Sequence, residues 1–323
     1  MKALLSVYDK TGIVDFGSGL VKAGYSLVST GGTFRKLDSE GVNVTQVSDL
    51  TGSPEILEGR VKTLHPTIHG GILARRDMPS HISQLQQNGI EEIDVVVVNL
   101  YPFVDTVSKP DVELSEALEN IDIGGPTMIR SAAKNFRDVI VVVDPSDYEW
   151  VGHKLALGNG LTELEKKTLA QRAFQHVAHY DTAISSWLRD SSVLSAKVVT
   201  TGYEKLSDLR YGENPHQEAA VYKGVLSDGG VVEAKQLHGL PMSYTNFLDA
   251  DAAWTTVSDF ESQACVVVKH TNPCGISLND DQVMAYENAF SGDTVSAYGG
   301  IVGFNREVSK DTANAMKGVL FDI

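Results

Sequence analysis

The chain has 323 residues, with 27 Lys plus Arg against 42 Asp plus Glu and a formal charge of −15. A surface this acidic repels polyanions, which argues against nucleic acid or a basic membrane contact as its partner, although a local cluster of cations still holds a small phosphorylated ligand. With 42 % apolar and 21 % charged residues, the composition is that of a folded protein, about two domains at roughly 150 residues each.

Ala3 to Val7 reads as the first strand. It turns polar at Tyr8-Asp9-Lys10, too soon for a signal-peptide core, and no apolar stretch approaches a membrane span, so a cytoplasmic protein is expected. Ile13, Val14, Phe16, Leu20 and Val21 then recur at helical spacing, and Gly24 closes that helix before a strand at Tyr25 to Ser29. A third strand lies near Val44 to Val47. Ile93 to Leu100 contains four consecutive valines without alternation, the mark of a strand buried on both faces, and Val139 to Val143 repeats it. Strand–helix–strand order with such runs predicts an α/β fold with helices on both faces of a mostly parallel sheet. Leu161 to Leu188 has no proline or glycine and predicts one or two helices, broken at Asp190-Ser191-Ser192. The domain boundary is placed between Arg189 and Gly202, giving domains at 1–195 and 200–323. Beyond it, Ala264 to Val268 is one buried strand, and Cys265 and Cys274 read as reduced buried thiols outside any metal or redox pattern.

Four N-terminal segments carry chemistry. Ser29-Thr30-Gly31-Gly32-Thr33 stands where a strand meets a helix, and its glycines, amides and hydroxyls suit a phosphate, although many such turns use glycine only to turn. It is neither a nucleotide-triphosphate loop nor a dinucleotide fingerprint. Gly59 to Pro66 holds Arg60, Lys62 and Thr63, and in an extended chain Arg60 and Lys62 share a face fit for a phosphate or an oxyanion. A solvated basic edge explains the charges equally, but not the glycines and prolines around them. Asp122 to Asn135 starts a helix at Pro126, with Arg130 and Lys134 on one face and Asp122 before its N-terminus, as a cap or as a reacting carboxylate. Asn99 and Tyr101 follow the central strand, where ligands bind in open α/β sheets. In the second region, Val268 runs into Lys269-His270, a candidate base and electrostatic partner or an ordinary structural histidine. Arg210 to Gln217 reads as an ordered polar loop.

Taken in order, Ser6 to Gly12, Ser29 to Thr33, Gly59 to Pro66, Asn99 to Phe103, Asp122 to Asn135, Arg210 to Gln217, Lys269 to Gly275 and Asp293 to Gly300 resemble one family from end to end. It is the bifunctional purine-biosynthesis family that joins aminoimidazole-carboxamide ribonucleotide (AICAR) formyltransferase to inosine monophosphate (IMP) cyclohydrolase. The resemblance implies a methylglyoxal-synthase-like doubly wound parallel sheet followed by the first part of a cytidine-deaminase-like transferase domain. Family members continue past Ile323, so a C-terminally truncated chain is expected, with a whole cyclohydrolase domain and a transferase site short of residues. The resemblance further implies that Lys62 and Tyr101 act near the formyl oxygen, and that Asp122 and Lys134 form a proton network at the carboxamide. Ser6, Lys10, Ser29, Thr30, Gly31, Gly32, Thr33, Arg60, Thr63, Asn99, Gly124 and Arg130 would hold the nucleotide. Lys269 and His270 would serve formyl transfer from 10-formyltetrahydrofolate, with Arg210 and Tyr211 on the nucleotide. The implied partners are AICAR, formyl-AICAR, IMP, folate and a second subunit of a homodimer; no metal is implied. The phosphate cradle alone also suits a nucleotide-sensing module of the same fold that performs no chemistry.

Overall fold

Five short strands, β1 (Lys2–Ser6), β2 (Ser26–Ser29), β3 (Val44–Gln46), β4 (Val95–Val98) and β5 (Ile140–Val142), pair in the order β3-β2-β1-β4-β5, and every pair is parallel. The structure is a computed structural model and describes residues 1–189, 192–227 and 229–323. Successive side chains of a strand point to opposite faces, and all four valines of β4 are buried, so both faces of the sheet are covered. The chain leaves β1 toward β2 on one side and returns to β4 on the other. The ends of β1 and β4 therefore form the point where strand order reverses, the usual ligand crevice of such sheets.

Six helices matter to that crevice: α1 (Ile13–Lys22), α2 (Gly31–Ser39), α3 (Pro66–Leu73), α4 (Gly124–Lys134), α5 (Tyr148–Ala156) and α6 (Glu163–Trp187). The run without proline or glycine forms a single helix, α6, which a Thr162–Glu165 capping box starts. It packs on α4 and β5, while α1 packs on α5 and β2. Helix α4 begins at Gly124, two residues before the proline expected to open it. Proline is tolerated there because the amides of a first helical turn have no partner within the helix. The Arg60–Lys62 stretch is not extended. Positive φ angles at Leu57 (51°), Glu58 (55°) and Gly59 (84°) curl the chain into a 3-10 turn, and residues 60–63 continue as turns.

The chain divides into two units, Met1–Gly202 and Tyr203–Ile323. The break expected at Asp190-Ser191 lies outside the described residues. In the second unit β6 (Tyr203–Asp208) and β7 (Ala220–Gly224) form an antiparallel ribbon. A second antiparallel sheet is ordered β10-β8-β9, from β8 (Ala264–Val268), β9 (Pro273–Leu278) and β10 (Ile301–Phe304). Helix α7 (Tyr244–Ser258) brings Ala253 and Val257 onto Ala264, Val266 and Val268, and α8 (Gln282–Ser291) brings Ala285, Tyr286 and Ala289 onto Cys265 and Val267. Alternation along β8 thus supplies one core to each face. Cys265 is buried as expected, whereas Cys274, on the outer strand β9, is only half-buried. No helix among the described residues is long and apolar enough to cross a membrane.

Candidate active site

A cleft of about 670 Å³ opens at the carboxyl ends of β1, β2 and β4. Its wall gathers Ser6 and Lys10 after β1, Thr30 to Thr33 after β2, Arg60, Lys62 and Thr63 from the curled turn, Asn99 and Tyr101 after β4, and Asp122 to Gly125 at the start of α4. Residues more than a hundred positions apart meet because parallel strands all end at the same edge.

At the β2 end, the Ser6 and Thr30 hydroxyls bond each other at 2.8 Å, while Gly31 and Gly32 leave room for two ammonium groups. A Cβ on Gly31, already at φ 44°, would lie 3.1 Å from the Lys62 Nζ, and one on Gly32 would lie 3.6 Å from the Lys10 Nζ. Hydroxyls, helix-start amides and two lysines around a bare backbone turn could hold a phosphate. Three predicted ligands are otherwise engaged. Ser29 pairs in register with Leu5 and donates its hydroxyl to the Leu5 carbonyl at 2.7 Å, so it is buried beneath the cleft rather than lining it. Thr33 lines the cleft, but its hydroxyl accepts from the Val7 amide and donates to the Val7 carbonyl, both at 2.9 Å. Asn99 likewise accepts from the amides of Tyr8 (2.6 Å) and Asp9 (2.9 Å), bracing the loop after β1.

Asp122 sits at the other end. Its Oδ1 accepts from the Gly125 amide at 2.8 Å. A Cβ on Gly125 would stand 2.5 Å from Asp122 Oδ2 and 2.6 Å from Leu100, and one on Gly124 would stand 2.3 Å from Thr63 Oγ1, so only glycines let these groups close in. The helix start is therefore directed at the carboxylate, not left open to the cleft. Burial raises the Asp122 pKa, against the lowering pull of the Gly125 amide, the Lys62 ammonium and the Gly124 amide. Burial, and then the Asp122 charge, also raise the Tyr101 pKa, so this phenol keeps its proton to donate. Lys62, Tyr101 and Asp122 thus line one cleft, with the ammonium and the phenol each sensing the carboxylate.

Arg130 and Lys134 do not join them. Lys134 closes α4, ten residues and about 15 Å along the helix axis from Gly124. Both are exposed and line a separate groove of about 710 Å³ with Lys167 and Phe174, where the Arg130 guanidinium lies 5.7 Å from the Phe174 ring centre. Four-residue spacing put them on one helix face, but that face turns away from the chain's own cleft. Three residues escaped the sequence reading. Tyr8 packs edge-on against Tyr101 at 5.7 Å, Glu119 pairs with Arg60, and the Tyr180 hydroxyl accepts from the Asp122 amide and donates to the Asn120 carbonyl, both at 2.9 Å. Tyr8 lies inside a run that was matched as a whole; no spacing signal points to the other two.

In the second unit, Lys269 follows β8 and its Nζ donates to the Tyr298 carbonyl at 2.5 Å, while His270 is exposed. The next amide, of Thr271, donates to the buried Asp249 at 2.6 Å. Arg210 lies 5.8 Å from the ring centre of Tyr211, and both are exposed. Among the described residues no hydrogen bond or ion pair joins this pair to Lys269 or His270, and no cluster of His, Cys, Asp and Glu has the grouping of a metal site.

Comparison with known proteins supplies a family. The model described as "AICARFT/IMPCHase bienzyme" matches residues 132–323, and an MGS-like domain model matches residues 12–127. The bifunctional purine biosynthesis protein purH of Dictyostelium discoideum is 49 % identical over 352 aligned positions, covering all of this chain and 65 % of that protein. The chain thus spans about two-thirds of the length of this relative. The crystal structure of ForH is 38 % identical, with a TM-score of 0.53, over 58 % of this chain and 99 % of that one.

Proposed function

The chain belongs to the AICARFT/IMPCHase bienzyme family, and from that membership and the chemistry of the cleft we propose that its first unit is an IMP cyclohydrolase of purine biosynthesis. The observation that carries the reading is the meeting of Lys62, Tyr101 and Asp122 in one cleft beside a phosphate seat. A nucleotide sensor needs the seat but has no use for a desolvated carboxylate opposite a phenol and an ammonium.

In the proposed step the carboxamide nitrogen of formyl-AICAR attacks the formyl carbon of the same molecule. The new C–N bond pushes the carbonyl electron pair onto the formyl oxygen; the carboxamide nitrogen gives up one proton and the formamide nitrogen a second, both end on that oxygen, and it leaves as water as the formamide nitrogen closes the ring C=N bond. Both reactants belong to one molecule, so the site has little proximity to supply and acts through rotamer, protons and charge. Lys62 and Tyr101 stabilise and then protonate the oxygen, with a well-placed donor contributing roughly 3 kcal/mol. Asp122 takes the amide proton, and the Gly125 amide and Lys62 favour its ionised form against burial. Ser6, Thr30, Gly31, Gly32 and Lys10 hold the phosphate, with Arg60 at the rim and Thr63 buried in the wall against Gly124.

Lys134, which the family resemblance puts in the proton network, would reach a carboxamide only from a second copy, so a homodimer is part of the proposal. Formyl transfer from 10-formyltetrahydrofolate to AICAR would fall to Lys269 and His270, with Arg210 and Tyr211 on the nucleotide; it is proposed for the whole bifunctional protein, and a cytoplasmic setting goes with it. Mixing the chain with formyl-AICAR and following IMP absorbance tests the cyclohydrolase. Steady IMP formation is expected, and nucleotide binding with no turnover would establish the sensor in its place.

A further inference from the structure

We infer that Tyr180 of α6 is a positioning residue that sets the spacing between Tyr101 and Asp122, an inference that rests on the cyclohydrolase reading. Three contacts carry it. The Tyr180 hydroxyl accepts from the Asp122 amide and donates to the Asn120 carbonyl, each at 2.9 Å, so one oxygen pins both ends of the segment that presents the carboxylate. Its ring packs edge-on against Phe103, with ring centres 6.3 Å apart. Phe103 opens the short helix Phe103–Val107, two residues after Tyr101, and its ring meets Trp187, also of α6, at 5.8 Å. One side chain on a rigid helix of 25 residues therefore braces the two segments that carry the phenol and the carboxylate.

The hydroxyl is fully engaged in this work. It uses its proton on Asn120 and a lone pair on Asp122, and burial pushes its pKa up to about 12, so it stays protonated at neutral pH. Phenylalanine at 180 would keep the ring on Phe103 and leave the Asp122 amide and the Asn120 carbonyl without a partner. Segments 120–123 would then move relative to Tyr101, and displacements on the scale of an ångström cost catalysis far more than binding. Among the described residues no hydrogen bond joins Tyr180 to Ser6, Lys10 or Thr30, so the proposed nucleotide seat keeps its contacts.

The test is Tyr180→Phe in the full chain. The expected result is a fall in kcat of about tenfold with KM within about twofold of the parent, and an acid limb of the pH–rate profile that moves to lower pH as water reaches Asp122. Parent kcat with an unchanged profile would overturn the proposal, as would a loss confined to thermal stability. Amide hydrogen exchange of Asp122 in the parent is the second measurement, and it does not need the variant to fold. Slow exchange supports the hydroxyl bond, and exchange at the rate of an open loop overturns it. A parent chain that forms no IMP would defeat the cyclohydrolase reading instead, and the exchange measurement would still decide the brace.

Discussion

The two units handle the same kinds of residue differently. In the first, five parallel strands all end at one edge, and segments from Ser6 to Gly125 deliver hydroxyls, lysines, a phenol and a carboxylate to a single cleft. In the second, β8 runs between antiparallel neighbours, so adjacent strands end at opposite edges. Lys269 stands at one such end, half-buried with its ammonium on the Tyr298 carbonyl, and His270 beside it is exposed. Parallel topology assembles a site by itself, whereas an antiparallel sheet of three strands needs other chain to enclose one. This is the physical reason that the proposed cyclisation is placed in the first unit.

The sharpest way to break that contrast is to remove one cation from each unit. Lys62→Ala should lower the rate of IMP formation by about two-hundredfold, with a moderate loss of nucleotide affinity, and His270→Ala should leave that rate at the parent value. Equal losses in a formyl-AICAR assay would erase the distinction between the units. Next in size, an equimolar mixture of Lys62→Ala and Lys134→Ala, refolded together, should recover about a quarter of the parent rate, because half the dimers are hybrids with one intact site of two. A mixture no more active than its components would show that Lys62 and Lys134 do not meet in one site across a dimer.

Asp122→Asn should cost about a hundredfold in kcat and abolish the acid limb of the pH–rate profile. It also has a sign in stability. Burial raises the Asp122 pKa in the folded chain, so between its ordinary and its raised value the native state binds more protons than the unfolded state. Stability therefore falls as pH rises through that window and stays lower above it. Asparagine removes this deficit, and calorimetry at pH 7 should find a higher Tm; an unchanged or lower Tm would contradict the burial argument. The smallest effect belongs to the rim. Glu119 pairs with Arg60 in the open, where such pairs contribute at most about 1 kcal/mol. Glu119→Gln should free Arg60 for the nucleotide and tighten IMP binding by no more than about threefold, as read by titration calorimetry.

How much of this was legible in the sequence depends on the range over which each feature is set. The four valines of β4 and the Ser29–Thr33 turn announce themselves, because burial on both faces and a strand-to-helix glycine turn are local properties. The same locality misplaces Ser29, whose pairing with Leu5 across the sheet sends its hydroxyl inward. Arg60 and Lys62 read as extended because positive φ at Leu57 and Glu58 leaves no compositional trace. Spacing showed that Arg130 and Lys134 share a helix face, but which way that face points is decided by how α4 packs on β4, β5 and α6. Tyr180 lies 58 residues from Asp122, and no periodicity within α6 distinguishes it from the other residues that helix buries.

The most direct test of the central claim is a structure of the chain with IMP bound. The account predicts the phosphate at Gly31 and Gly32 between Lys10 and Lys62, and the purine ring within hydrogen-bonding distance of both Tyr101 and Asp122. A nucleotide seated in the groove of Arg130, Lys134 and Phe174, or with its base turned away from Asp122, would contradict it.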